Sequence, residues 1–213
     1  MTDRIIHTDA CVAEGAAWLA TAEPRFAEAL DLTGPLPLRR RDGGFPALLN
    51  TICAQQLSVA SAGTVWRKLL EAQATEADHL LAHDDDTLRA CGLSRPKIRY
   101  ARALAKADIN YPALAHMPEE QAVATLTEVK GIGVWTAEIY LMFSVGRADV
   151  LAAGDLALQE AARILFDLPA RPGDKELRAL AEAWSPWRAV AARLLWAYYR
   201  VAKKREGVTE IPT

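Results

Sequence analysis

Leu126-Thr127-Glu128-Val129-Lys130-Gly131-Ile132-Gly133-Val134-Trp135-Thr136-Ala137 decides the fold. A helix-periodic apolar run stops, a Gly-Ile-Gly turn follows, and a second such run begins at once. That order spells two helices joined by a tight hairpin. Two glycines one residue apart permit positive φ and let another backbone approach closely. Their amides then face outward at the head of the second helix, where free N–H groups favour an anion. Thr136 adds a hydroxyl in the first turn, and Ile132 anchors the tip in a core. A bare G-x-G would read as a ligand-free turn; the full pattern favours a phosphate clamp.

The chain on either side has the same character. Alanine occurs 41 times and leucine 27 times, both strong helix formers, and apolar residues recur every three to four positions. No stretch alternates like a strand between hairpin turns, so the chain reads as all-α. Helices are predicted at about 9–21, 24–31, 44–56, 58–72, 84–90, 95–109, 118–127, 134–145, 156–166, 174–183 and 186–203. Thr33-Gly34-Pro35-Leu36-Pro37 is the clearest break, because two prolines forbid a helix there. Gly92-Leu93-Ser94 closes one helix and caps the next. With no repeat or low-complexity linker, 1–213 reads as a single unit of two lobes, its first 35 or so residues packing on the C-terminal helices.

At 213 residues and 51% apolar content the chain can bury a sizeable core. No apolar run is long enough to span a membrane, and Met1-Thr2-Asp3-Arg4 does not begin a signal peptide. Cys11, Cys53 and Cys91 are too few and too scattered for a disulfide framework, a four-cysteine zinc site or an iron–sulfur cluster. His7, His79, His83 and His116 lack ligand spacing. These features point to a reducing compartment and so to the cytoplasm. The net charge of −2 is unpromising for a nucleic-acid binder, yet it hides basic clusters at Arg39-Arg40-Arg41, at Arg95, Lys97 and Arg99, and at Arg200, Lys203, Lys204 and Arg205. Each alone reads as a solvated face.

Two further residue sets carry chemistry. In Asp149-Val150-Leu151-Ala152-Ala153-Gly154-Asp155-Leu156, Asp155 follows a small flexible loop and precedes a helix, the position of an N-cap. Six tryptophans exceed the usual number, and on amphipathic helices such residues are mostly core.

The hairpin resembles that of the helix-hairpin-helix DNA glycosylase superfamily, named also for its Gly/Pro-rich loop and Asp, with most similarity to the 3-methyladenine DNA glycosylase II group. Ile52-Cys53-Ala54-Gln55-Gln56-Leu57-Ser58, Gly92-Leu93-Ser94-Arg95-Pro96-Lys97 and Trp184-Ser185-Pro186-Trp187-Arg188 continue the resemblance in the family's order. It spans about 39–200, with the hairpin at about 118–145, and implies a two-lobed helical fold with the active site in the cleft between lobes. The mixed α/β domain that precedes the helical core in the larger bacterial enzyme is not expected here.

By this resemblance Asp155, counted from Trp135 without a gap, falls on the catalytic aspartate, and Asp149 on a non-catalytic position. Trp135 and Trp196 fall on pocket positions, where their faces stack on an extruded, electron-poor alkylated base. The pocket tyrosine one turn after the hairpin tryptophan corresponds to Ile139. Gln56 falls at the tip that fills the hole left by the base, and Ser58 caps the next helix beside DNA. Gly131, Gly133, Thr136 and Lys130 face phosphate. The backbone carbonyls of Thr127, Val129 and Gly131 fall on positions that hold a monovalent cation, sodium or potassium, bridging to DNA; no cofactor is required for the chemistry. Bifunctional members carry a lysine two residues after the second glycine, where this chain has Trp135.

The expectation is therefore a monomeric, monofunctional enzyme acting on double-stranded DNA that contains alkylated bases, and leaving an abasic site. One carboxylate suffices, because an N-alkylated purine is already a good leaving group. Asp155 can stabilise the positive charge that builds on the deoxyribose or activate the attacking water; both roles stay open. The alternatives are a non-catalytic hairpin module that grips DNA, a glycosylase for a neutral lesion such as uracil, hypoxanthine or an oxidised purine, and a non-DNA enzyme with a small anionic substrate.

Overall fold

The computed structural model describes residues 4–205, with the side chains of Val59, Lys204 and Arg205 outside the description. All its regular structure is helical; an isolated bridge, Ile5 to Arg147, is the one extended pairing among the described residues. The chain divides into two units. One joins Met1–Arg40 to Leu141–Thr213, and the other is Arg41–Tyr140.

The first unit contains α1 (Asp9–Ala22), α2 (Pro24–Thr33), α10 (Leu156–Leu165), α11 (Asp174–Leu180) and α12 (Arg188–Arg205). Its centre is α12, which packs against α1, α2 and α10. Ala189, Ala191, Ala192 and Ala197 on α12 are buried with Val190, Leu194 and Leu195, so the apolar surface runs almost around the helix, as a central helix requires. Small residues allow close approach: a Cβ on Gly15 of α1 would sit 2.6 Å from the Trp187 ring. Phe26, Phe166 and Trp184 form a second apolar cluster, with ring centroids 5.3–5.8 Å apart.

The second unit holds α3 (Gly44–Ala54), α4 (Val59–Glu71), α5 (Ala77–Ala82), α6 (Asp85–Ala90), α7 (Arg95–Lys106), α8 (Glu119–Thr127) and α9 (Val134–Tyr140). Here α3 packs on α4, α7 and α9 through Phe45, Leu48, Leu49, Ile52 and Cys53. Burial pushes the Cys53 thiol up to about 12, which makes it inert packing. On α7, Ile98, Ala101 and Leu104 face inward at helical spacing, with Arg95 and Arg99 exposed.

Several features differ from the sequence reading, among them the helix expected at 95–109, which stops at Lys106. The six-residue α5 was not expected, since it is too short to develop a period. The helix expected at 44–56 stops at Ala54, because Gln55 leaves the helical region at ψ 130° and Gln56 follows at φ 57°. The helix expected at 134–145 is α9 followed by a π-turn, Leu141–Val145. This wider turn closes with the N–H groups of Gly146 and Arg147 both donating to Leu141 O at 2.9 Å, while Arg40 donates to the carbonyls of Phe143 and Ser144. The mostly apolar run Leu-Met-Phe-Ser-Val carries no sign of that change.

Candidate active site and nucleic-acid face

Asp155 is the N-cap of α10. Its Oδ1 accepts from the N–H groups of Ala157 at 2.9 Å and Leu158 at 3.0 Å, and from Trp196 Nε1 at 3.1 Å. The first two bonds are the ordinary work of a capping aspartate. The third comes from α12 and fixes the rotamer from a second direction. The preceding loop is packed and hydrogen-bonded: Leu151, Ala152 and Ala153 are buried, Asp155 N donates to Ala152 O, and Gln159 Nε2 donates to Ala153 O, each at 2.9 Å. Asp155 itself is half-buried, and Leu156 beside it is 62% exposed.

Trp196 is oriented in turn. Its ring lies 5.8 Å from that of Phe143, and the Arg193 guanidinium sits 4.7 Å over the other ring. Arg193 is 2% exposed; it donates to Leu38 O at 3.0 Å and Ala189 O at 2.8 Å. Burial, then the nearby Arg39 and Arg40 charges, bring its pKa down to about 10. Asp149, the other carboxylate, meets Arg188 Nε at 2.7 Å and Nη2 at 3.0 Å, and accepts from Ser185 Oγ at 2.8 Å. Burial works against the charge, yet the Arg188 and Ser185 bonds hold its pKa below the usual carboxylate value. Asp149 therefore ties the start of α12 to its neighbouring loop.

In the second unit the hairpin is asymmetric. Gly131 has φ 100°, and a Cβ there would lie 2.4 Å from Tyr100 Cγ. Gly133, by contrast, is not among the positive-φ residues, and a Cβ on it would meet nothing within 4 Å. The two glycines thus do different work: one makes the turn under an aromatic ring, the other leaves open space. Ile132 is 4% exposed, so it anchors the tip, while Lys130, Gly133 and Val134 are exposed. Thr136, expected to add a hydroxyl to that face, is buried.

An open cavity of about 580 Å³ lies along α3 and α9, lined by Asn50, Thr51, Gln55, Gln56, Trp135, Thr136 and Ile139, with Arg41 at its margin. Trp135 is 45% exposed and offers a large aromatic face. Asn50 and Thr51 were not singled out by sequence, because polar residues at the edge of a helix look like ordinary surface; Arg41 belongs to the basic cluster Arg39-Arg40-Arg41. Gln56 and Leu57 are both exposed at the turn after α3. Ser58 caps α4, its Oγ accepting from Ser61 N at 3.2 Å. Lys97, one of the basic residues read as solvated, instead donates from Nζ to Cys53 O at 2.6 Å. Tyr140 is also spent internally, its hydroxyl accepting from Gly44 N at 2.7 Å.

A hairpin whose tip is open, together with a capped aspartate after it in the chain, defines a helix-hairpin-helix protein. Residues 49–186 match the family described as HhH-GPD superfamily base excision DNA repair protein, and the chain belongs to that family. The Alkylbase DNA glycosidase-like protein mag2 of Schizosaccharomyces pombe is 27% identical over 199 residues, covering 87% of this chain and 93% of that protein. A DNA-3-methyladenine glycosidase from Bacillus halodurans has the same fold with a TM-score of 0.80 and 29% identity, over 87% of this chain and 88% of that one. Schizosaccharomyces pombe 3-methyladenine DNA glycosylase Mag1, solved in complex with abasic DNA, has a TM-score of 0.71 and 26% identity, over 86% and 95% of the respective chains. No helix among the described residues is long and apolar enough to cross a membrane.

Proposed function

We propose that this protein is a monofunctional DNA glycosylase that removes 3-methyladenine and related N-alkylated purines from double-stranded DNA, leaving an abasic site. The observation that carries the reading is Asp155, whose Oδ1 is fixed by three N–H donors on two helices. Its relatives named as alkylbase and 3-methyladenine glycosylases support the substrate class.

The chemistry follows from the leaving group. The bond between the base nitrogen and C1′ breaks with its electron pair going to the base, and positive charge grows on the sugar. A carboxylate held in place beforehand stabilises that charge without reorganising, and water completes the reaction by adding its oxygen to C1′ and releasing a proton. Trp196, next to Asp155, presents an aromatic face to an electron-poor purine. At the hairpin, where an amine nucleophile would stand, the chain has Trp135, so no covalent sugar intermediate forms and the strand stays uncut.

Gly131, Gly133 and Lys130 take phosphate at the hairpin, Gln56 fills the hole left by the base, and Ser58 lies beside the backbone. The carbonyls of Thr127, Val129 and Gly131 suit a sodium or potassium ion that would neutralise a phosphate. They are neutral hard oxygens, and the described residues hold no carboxylate, histidine or cysteine cluster for a divalent metal. Val129 O and Gly131 O each accept one internal hydrogen bond, which leaves a second lone pair on each. We place the enzyme in the cytoplasm as a monomer, in keeping with three free cysteines.

Release of free base from methylated duplex DNA tests this reading. Wild type is expected to release 3-methyladenine and to leave DNA that is cut only after alkali. Cutting without alkali would overturn the monofunctional assignment, and duplex binding without any base release would leave a binding module.

A further inference from the structure

The turn that carries Gln56 is not a free loop. Gln56 occupies the left-handed region at φ 57°, which a non-glycine residue holds only when its surroundings compensate. Three contacts within the second unit brace the residues on either side of it. Gln55 Nε2 donates to Gly131 O at 2.9 Å, joining the turn to the hairpin. Lys97 Nζ donates to Cys53 O at 2.6 Å, closing the last turn of α3. Tyr100, one turn further along α7 from Lys97, covers Gly131 so closely that no Cβ fits there. Helix α7 thus holds the turn with one side chain and the hairpin with another, while Gln55 links the two directly.

We propose that Gln55 is a positioning residue, whose hydrogen bond to Gly131 O locks the Gln56 turn to the hairpin so that phosphate capture and filling of the base-pair gap are performed by one rigid element. This rests on the glycosylase reading above, with Gln56 as the residue that enters the duplex. Lys97 and Tyr100 brace the same element from α7. None of the three needs to touch the excised base, and Lys97 is not required at phosphate.

The consequence is a dependence on how firmly the lesion is stacked. Extruding a paired base costs unstacking energy, and a base already outside the helix costs little. A loosened Gln56 turn therefore slows excision from a paired site and spares an unpaired one. Gln55→Met keeps the length of the side chain and removes the donor. Single-turnover excision by Gln55→Met is compared with wild type on an N-methylated purine opposite its normal partner, and on the same purine in a one-nucleotide bulge. The expected result is a loss of about tenfold on the paired site, the size of one hydrogen bond, and less than about twofold on the bulge, with a melting temperature lowered by no more than about 4 °C. Lys97→Met is expected to show the same split, and supplies the test should Gln55→Met not fold.

An equal loss on both substrates would make Gln55 a contact of the base and overturn the proposal; so would no loss on the paired site. If wild type releases no base from either substrate, the glycosylase reading fails. Insertion is then followed without chemistry, by the fluorescence of 2-aminopurine placed opposite an abasic-site analogue. A wild-type change that Gln55→Met weakens upholds the lock, and identical changes refute it.

Discussion

The Asp155 corner and the hairpin face are built on opposite plans. Around Asp155 the polar groups are committed to one another: a buried loop leads into the cap, three N–H groups meet on one oxygen, and Trp196 is itself held over Phe143. At the hairpin the committed contacts are beneath the surface, at Ile132, Gln55 and Tyr100, while Lys130, Gly133, Val134 and Trp135 remain in water. A reacting carboxylate gains from being fixed before substrate arrives. A DNA-binding face gains from leaving its donors and apolar surface uncovered, because DNA completes them.

Breaking the committed side should cost chemistry, and the largest effect belongs to Asp155→Asn. Removing the charge while retaining the cap is expected to lower single-turnover base release by about 100-fold or more, with duplex binding unchanged in a gel-shift titration. Trp196→Phe keeps the ring and deletes the donor to Oδ1. Losing a hydrogen bond to a charged group should lower the same rate by about tenfold, and an unchanged rate would show that the α10 cap alone orients Asp155.

The two glycines sharpen the contrast within one motif. Gly131→Ala places a Cβ against Tyr100 in a backbone that disfavours it, and should cost about 3 kcal/mol of stability in denaturant unfolding. Gly133→Ala has room and should change stability by less than about 0.5 kcal/mol. It nevertheless puts a methyl group on the exposed tip, and weaker duplex binding is the expected readout. If the two variants behaved alike, the division of labour drawn here would fail.

The smallest effect tests Asp149. Its folded pKa lies below the unfolded value, so the stabilisation is fully present above the unfolded pKa of about 3.9 and is lost as pH falls through the folded value. Thermal melts of wild type and Asp149→Asn should differ at pH 6 and converge as the pH falls through the folded value, without a matching change in base release near neutrality. A difference independent of pH would assign the effect to packing instead.

Much of this was legible in the residues. The helical class and most helices follow from apolar spacing and caps such as Ser58 and Asp155, since period and capping are local properties. The hairpin was legible because glycine and isoleucine have few other reasons to alternate there. Helix α5, the π-turn after α9 and the early end of α3 were not, because short elements and changes of helical pitch leave no period to read. Lys97 misled for a related reason: a lysine among arginines looks solvated until α3 brings the carbonyl of Cys53 within reach.

The sequence by itself determined the all-helical class, the family motifs, and the presence of a carboxylate at a helix start with tryptophan rather than lysine after the hairpin. Only the tertiary structure decided that Trp196 donates to Asp155, that Gly131 and Gly133 are unequal, and that Gln55 reaches the hairpin. Each of those contacts joins residues far apart in the chain. Spacing along a chain reports what one helix or turn can do alone, whereas the partner of a side chain from another element is set by how the elements pack.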